Sequence, residues 1–217
     1  MEKFLHQTLD TNASCKVETI PPRPRLLKHY DIWKRVIQAY FSDSYSYAIL
    51  FVTSKCNARC KTCFNWQNIE HSGQRKELSL EEYKRISENF ENLIYLSIGG
   101  GEPFLRTDLA DIVHEFYKNS GVRFVTVTTN SLQPSQTKDT VLQILEQNPD
   151  IYLTVCLSLD GIDSLHDYIR GVKGNYEKVI INYRFLSELR KQWKNLSLNV
   201  STIFNKYNQE HIFDIIS

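Results

Sequence analysis

Beyond residue 46 the chain alternates two hydrophobic rhythms. Apolar, β-branched or aromatic runs occupy residues 47–53 (YAILFVT), 93–98 (LIYLSI), 122–128 (VRFVTVT), 152–159 (YLTVCLSL) and 196–204 (LSLNVSTIF). Runs of that length and make-up predict strands. Between them, at 78–92, 108–120, 135–148 and 175–193, apolar positions recur every three to four residues, the spacing of amphipathic helices. The helix ends are marked as well. Ser79 precedes Glu82 as a capping box, Thr107 or Asp108 can cap the second helix, and Gly121 can end it. Strands alternating with helices predict an α/β fold with a parallel sheet, either an α/β barrel or a doubly wound sheet.

The N-terminal region follows a different pattern. Residues 1–28 are polar and then rich in proline and arginine (Pro21, Pro22, Arg23, Pro24, Arg25), an extended lead-in. A short helix is expected at 29–42, where Trp33, Val36, Ile37, Tyr40 and Phe41 recur at helical spacing. A stripe of this kind is mostly core, so packing on the main domain is expected. With Lys28, Lys34 and Arg35 nearby, a basic amphipathic helix on a membrane surface is the alternative. The division read from these patterns is 1–45, an N-terminal extension with a short amphipathic helix, and 46–217, the main domain.

Bulk properties narrow the function classes. At 217 residues the chain suits one sizeable core. A net charge of +1 supplies no broad field for nucleic acid. The first twenty residues contain no signal-peptide apolar region, and no run is long enough for a transmembrane segment. Five cysteines with three crowded together do not form a disulfide framework in a chain this long. A reducing, cytoplasmic location is therefore expected.

Every distinctive polar motif follows an apolar strand. Cys56-Asn57-Ala58-Arg59-Cys60 follows the first, Gly99-Gly100-Gly101-Glu102-Pro103 the second and Thr129-Asn130-Ser131 the third. Ser158-Leu159-Asp160-Gly161 ends the fourth, and Asn205 the fifth. In parallel α/β folds the C-terminal strand ends form the face that carries chemistry. On that face Cys56, Cys60 and Cys63 place three thiols on one short loop. A closed zinc site takes four ligands, and electron-carrying iron–sulfur clusters are normally held by four cysteines. Three ligands leave one metal position open, and open positions usually belong to catalysis. The plainer alternatives are a zinc knuckle with a distant fourth ligand, or buried unligated thiols.

The run CNARCKTC (56–63) followed by GGGEP (99–103) resembles the radical SAM superfamily. SLDG (158–161) and the segment containing His166, Asp167, Arg170 and Gly171 add to the likeness, most of all to molybdopterin-precursor synthases and SPASM-type peptide maturases. The resemblance spans residues 47–217. It implies a partial (β/α)6 TIM-like barrel, a [4Fe–4S] cluster on Cys56, Cys60 and Cys63, and S-adenosylmethionine cleaved to a 5′-deoxyadenosyl radical. It also implies cofactor contacts. Gly100, Gly101 and Glu102 fall where the methionine amino group is held, Thr129 and Asn130 line the pocket, and Ser158 meets the ribose or methionine portion. Arg170 corresponds to a base that reaches the carboxylate. Ser201 or Asn205 approaches the adenosine. Thr62 stands where relatives commonly carry an aromatic residue against adenine, and Phe64 and Trp66 are the substitutes in view. Arg59 and Lys61 offer charge to offset the cluster.

Other motifs carry plainer readings. Asp160-Gly161 reads as a turn. His166 reads as a packing histidine, with acid–base chemistry as the alternative. Cys156 reads as a small buried strand residue, with hydrogen donation to a substrate radical as the alternative. The sequence stops at HIFDIIS, the start of a fifth barrel helix. A fragment or short member, truncated after about the fifth strand, is thus expected. The expected activity is radical chemistry on an unidentified substrate, a peptide or protein first and a small metabolite or lipid precursor second. A flavodoxin or ferredoxin would be the low-potential electron donor. The alternative from another class is a truncated, catalytically incompetent cluster- or zinc-binding regulatory protein.

Overall fold

A computed structural model describes residues 29–41, 45–74 and 76–216. The lead-in over 1–28, including Cys15, lies outside the described residues. In chain order the elements are α1 (His29–Phe41), β1 (Tyr47–Thr53), α2 (Trp66–Glu70), α3 (Leu80–Glu88) and β2 (Tyr95–Gly100). There follow α4 (Leu109–Asn119), β3 (Phe124–Thr129), α5 (Pro134–Gln147), β4 (Tyr152–Ser158), α6 (Asp163–Arg170), α7 (Asn175–Gln192), β5 (Leu196–Ser201) and α8 (Ile212–Ile216).

The five strands form one parallel sheet in the order β1-β2-β3-β4-β5. Alternation along the strands separates its two faces. Leu96, Ile98, Val125, Val127, Leu153, Val155 and Leu157 are buried and join Ile112, Phe116, Ile144 and Leu186 of the helices in one core. Successive helices pack on one another outside that face, α3 on α4, α4 on α5, and α5 on α7. A doubly wound sheet would carry helices on both faces. The arrangement is therefore a partial TIM-like barrel, and the second strand face lines its lumen.

The lumen has a layered construction. At its floor Tyr47 stacks on Tyr95 and Phe124 on Tyr152, with ring centroids 5.2 and 5.3 Å apart. Strand register sets Ser97, Thr126, Thr154 and Ser197 in the next layer, then Thr128, Cys156 and Asn199. Ser158 and Ser201 pair at the top. Cys156 shares this parity, so its thiol is half-buried on the lumen side beside Thr128 and Ser201, and not fully buried as expected.

Several local predictions hold. The Ser79–Glu82 capping box is complete, with each residue's side chain bonding the other's backbone N–H. Gly121 follows α4 in the left-handed region, at φ 72°. β5 ends three residues earlier than its apolar run because Asp160 intervenes. The Ile203 N–H donates to Asp160 Oδ1 at 2.9 Å in place of extending the ladder. Helix α6 was not expected, and it carries His166, Asp167 and Arg170.

Helix α1 departs from expectation. Its stripe does not pack on the domain: Trp33 is 64% exposed, and Ile37, Tyr40 and Phe41 are exposed too. The tie to the domain runs through Arg35, whose carbonyl accepts from Asn92 Nδ2 at 3.1 Å and whose guanidinium lies against Gly121. No helix among the described residues is long and apolar enough to cross a membrane.

Candidate active site

The cysteine loop leaves β1 and is fastened on two sides. On one, the Arg59 and Lys61 N–H groups donate to the carbonyls of Arg170 (3.2 Å) and Ile169 (2.8 Å), so the loop lies along the end of α6. Gly171 makes this approach feasible, being left-handed at φ 70°, and a Cβ there would fall 2.4 Å from Arg59 O. On the other side, the Gly101 N–H donates to Thr53 O at 2.7 Å and the Glu102 N–H to Lys55 O at 2.8 Å. The glycine run thus receives the backbone of the β1 exit. A Cβ on Gly100 would lie 2.6 Å from Thr53 O, and one on Gly101 would lie 2.1 Å from Lys55 O.

Cys56, Cys60 and Cys63 are all half-buried free thiols lining one cavity of about 270 Å3. Burial raises the Cys56 thiol pKa, opposed by hydrogen bonds from Ala58 and Asn130. Burial pushes Cys60 up to about 11, against the pull of the Arg170 guanidinium. Such thiols ionise readily only when a bound metal compensates the charge. Arg59 and Lys61 each hold a partner at or beside the loop. Arg59 Nη1 braces the loop carbonyls of Cys56 and Ala58 at 2.9 Å each, and Lys61 Nζ sits 4.3 Å above the Tyr168 ring. Arg170 is the cation that acts on Cys60.

Among the described residues no three His, Cys, Asp or Glu side chains converge as a single-ion site requires. Zinc draws its sulfur ligands to about 2.3 Å from one point. Three thiols on one cavity suit cysteine ligation of an iron–sulfur cluster. Two buried polar atoms at this cavity also lack a partner, Arg170 Nε and Thr62 Oγ1. The donor set and the unpartnered guanidinium nitrogen fit an iron–sulfur cluster with an anionic ligand beside it.

Glu102 is 2% exposed. Its Oε1 accepts from Thr129 Oγ1 at 2.8 Å and the Phe104 N–H at 3.2 Å, and its Oε2 from the Asn130 N–H at 2.7 Å. A carboxylate offers about four acceptor positions, so one is left for a ligand. Burial, against those three donors, raises its pKa to about 7. The Thr129 hydroxyl donates to Glu102 and accepts from the Ser131 N–H at 3.0 Å. Asn130 likewise has its polar groups engaged within the chain. Ser158 lines the cavity from the lumen face, as does Ser201, whereas Asn205 closes a turn on Ile203, Tyr207 and Asn208. Phe64 lines the cavity, 79% exposed and 6.0 Å from the Phe51 ring, while Trp66 lies elsewhere.

The apparent turn at Asp160-Gly161 is a buried junction. Asp160 Oδ2 accepts from Arg170 Nη1 at 3.0 Å, and the Asp160 N–H donates to His166 Nδ1 at 3.1 Å. His166 Nε2 meets Asn175 Oδ1 at 3.2 Å, and Asn175 Nδ2 donates to the Asn130 carbonyl at 2.8 Å. Asp167 accepts from the N–H groups of Gly174 and Tyr176, capping α7. His166 is therefore a packing histidine. Asp160 and Asn175 were not singled out as site residues, since an Asp-Gly pair reads locally as a turn and Asn175 lies at a helix start.

Because its Nδ1 accepts from a backbone N–H, His166 is held neutral, and burial takes its pKa down from 6.5 to about 4. Its depressed folded-state value means the unfolded chain binds the proton first, so it lowers stability as pH falls through that window. Glu102, raised from 4.5 to about 7, acts in the opposite sense over nearly the same range. Wild-type stability should be nearly level between pH 6.5 and 5. Removing the Glu102 titration in Glu102→Gln should expose a loss of about 1–2 kcal/mol across that interval, read by urea unfolding. A level profile in Glu102→Gln would contradict the neutral His166.

A sequence profile described as the radical SAM superfamily matches residues 50–217. GTP 3',8-cyclase of Lactiplantibacillus plantarum is 28% identical over 180 residues, covering 80% of this chain and 52% of the relative. Among solved structures, Streptococcus suis SuiB bound to precursor peptide SuiA is similar with a TM-score of 0.60 at 20% identity, over 92% of this chain and 44% of that one. Native anSMEcpe with bound AdoMet and Cp18Cys peptide gives a TM-score of 0.55 at 21% identity, over 78% and 46%. The chain spans about half the length of the curated cyclase it matches.

Proposed function

The chain belongs to the radical SAM superfamily, and from that premise we propose that Cys56, Cys60 and Cys63 hold a [4Fe–4S] cluster that works with S-adenosylmethionine on a peptide or protein substrate. The observation that carries this reading is the meeting of three half-buried thiols with the buried Arg170 at one cavity. When bound, the cofactor pair supplies a 5′-deoxyadenosyl radical that abstracts hydrogen from the substrate. The chain's residues bind and orient. Arg170 would meet the methionine carboxylate through its unpartnered Nε, while Nη1 remains on Asp160. The open acceptor position of Glu102 and the backbone at Gly100 and Gly101 take the amino group. Thr129 and Asn130 hold Glu102 in place, and Ser158 faces the ribose. A ferredoxin or flavodoxin would deliver the electron.

The lumen supports a peptide over a nucleotide. Its layers present Ser97, which lines the cavity, and Thr126, Thr154, Cys156 and Asn199, side chains that hydrogen-bond a neutral main chain. A triphosphate calls for arginine or lysine clamps. The similarity to a GTP 3',8-cyclase favours a small nucleotide as the second reading.

Arg170 tests the assignment. In Arg170→Met, S-adenosylmethionine should perturb the reduced cluster's EPR signal only at concentrations at least tenfold higher, with iron and sulfide content unchanged. The double variant Arg170→Met/Asp160→Asn removes the carboxylate charge otherwise left buried and should behave alike. Unchanged affinity in both would remove Arg170 from the cofactor site.

A further inference from the structure

We propose that Asn130 is a positioning residue that tunes the cluster through a hydrogen bond to the Cys56 ligand, a role distinct from contact with S-adenosylmethionine. The inference rests on Cys56 being a cluster ligand. Every polar group of Asn130 is engaged within the chain. Its N–H donates to Glu102 Oε2 at 2.7 Å, its carbonyl accepts from Asn175 Nδ2 at 2.8 Å, and its Oδ1 accepts from the Leu132 N–H at 2.9 Å. The remaining group, Nδ2, carries two protons. It donates to Asn57 Oδ1 at 2.7 Å and to Cys56 Sγ at 3.8 Å. The residue is 5% exposed, so a ligand could engage its amide only by breaking bonds already made.

The Cys56 and Cys60 sulfurs are thereby unlike. Cys56 Sγ receives two N–H donors, the Asn130 amide and the Ala58 N–H at 3.5 Å. Cys60 is instead stabilised by the charge of Arg170. An N–H···S bond draws negative charge from a ligating thiolate. It therefore stabilises the reduced, more negative cluster more than the oxidised one and raises the potential. The donor is held by Glu102 and Asn175, and Asn175 in turn by His166, so its aim is fixed by a buried network and not by a flexible side chain.

The test is an anaerobic EPR redox titration of the reconstituted full chain. Asn130→Ala removes the donor, and Asn130→Asp keeps the shape and the Leu132 bond while exchanging the donor for an acceptor. The equilibrium constant for one-electron reduction should fall several-fold in Asn130→Ala and at least tenfold in Asn130→Asp, tenfold being 59 mV, with iron and sulfide per chain unchanged. That ordering is something a purely structural role would not produce. Both variants within twofold of the unmodified protein would overturn the inference. Should the variants lose iron, wild-type protein grown on asparagine labelled with 15N in the side-chain amide decides. One 15N coupling to the reduced cluster is expected in ENDOR spectra, and its absence would be contradictory. A wild-type chain that assembles no cluster would contradict the functional reading itself, whereas an intact cluster with unmoved potential would contradict this inference alone.

Discussion

Cys56→Ala, Cys60→Ala and Cys63→Ala are each expected to abolish iron–sulfur assembly and, with it, cleavage of S-adenosylmethionine, leaving activity below a thousandth of wild type. The loop has no spare ligand to substitute. The fourth described cysteine, Cys156, sits down in the lumen beside Thr128 and Ser201, a layer below Ser158. Cys156→Ser should therefore retain a full complement of iron and sulfide. The fold should survive each loop substitution, because the loop is fastened by backbone bonds from Arg59, Lys61, Gly101 and Glu102 rather than by its thiols. Iron and sulfide analysis beside circular dichroism checks both halves. A single-cysteine variant that keeps a complete cluster would remove that residue from the ligand set.

Gly101→Ala is expected to have the largest effect on the fold of any single methyl group in the site. The added Cβ would lie 2.1 Å from Lys55 O and 2.7 Å from Lys55 C, both backbone atoms. Neither can swing aside as a side chain would. The β1 exit must move, straining the bonds from Gly101 to Thr53 O and from Glu102 to Lys55 O. Overpacking and weakened hydrogen bonds together cost about 3 kcal/mol, or roughly 6–12 °C in Tm for a chain of this size. Gly99→Ala is the matched control. Its Cβ would meet only the Phe51 ring, at 3.9 Å, an ordinary contact. Thermal unfolding that places the two variants together would contradict the close-packing account of the glycine run.

Much of this arrangement is legible in the sequence because strands and their ends announce themselves locally. β-branched runs located the five described strands, and the motifs after the first four supply residues that line the cavity, whereas Asn205 after the fifth does not. Other features depend on contacts that local pattern does not encode. GGGEP suggests a ligand cradle, yet what stands against Gly100 and Gly101 is the backbone of Thr53 and Lys55, about fifty residues earlier in the chain. Asp160 resembles a turn residue until Arg170, His166 and Ile203 close around it. Arg59 and Lys61 lie nearest the thiols in sequence, but the cation that acts on Cys60 is Arg170, delivered by an eight-residue helix too short to show a period. Parity along β4 does place Cys156 with Tyr152, Thr154 and Ser158 on the lumen face. Apolar neighbours on both sides suggested a buried residue instead. The stripe on α1 has helical spacing, but that spacing says nothing of what faces it, and Trp33 and Tyr40 are exposed.

The three-cysteine loop is proposed to serve reductive cleavage of S-adenosylmethionine. Anaerobic reconstitution with iron and sulfide, followed by dithionite and S-adenosylmethionine, tests it most directly through the 5′-deoxyadenosine released. About four irons and four sulfides per chain are expected, with 5′-deoxyadenosine that accumulates in the reconstituted protein but not in Cys60→Ala. Uptake of one zinc and no iron, or a complete cluster that releases no 5′-deoxyadenosine, would contradict it.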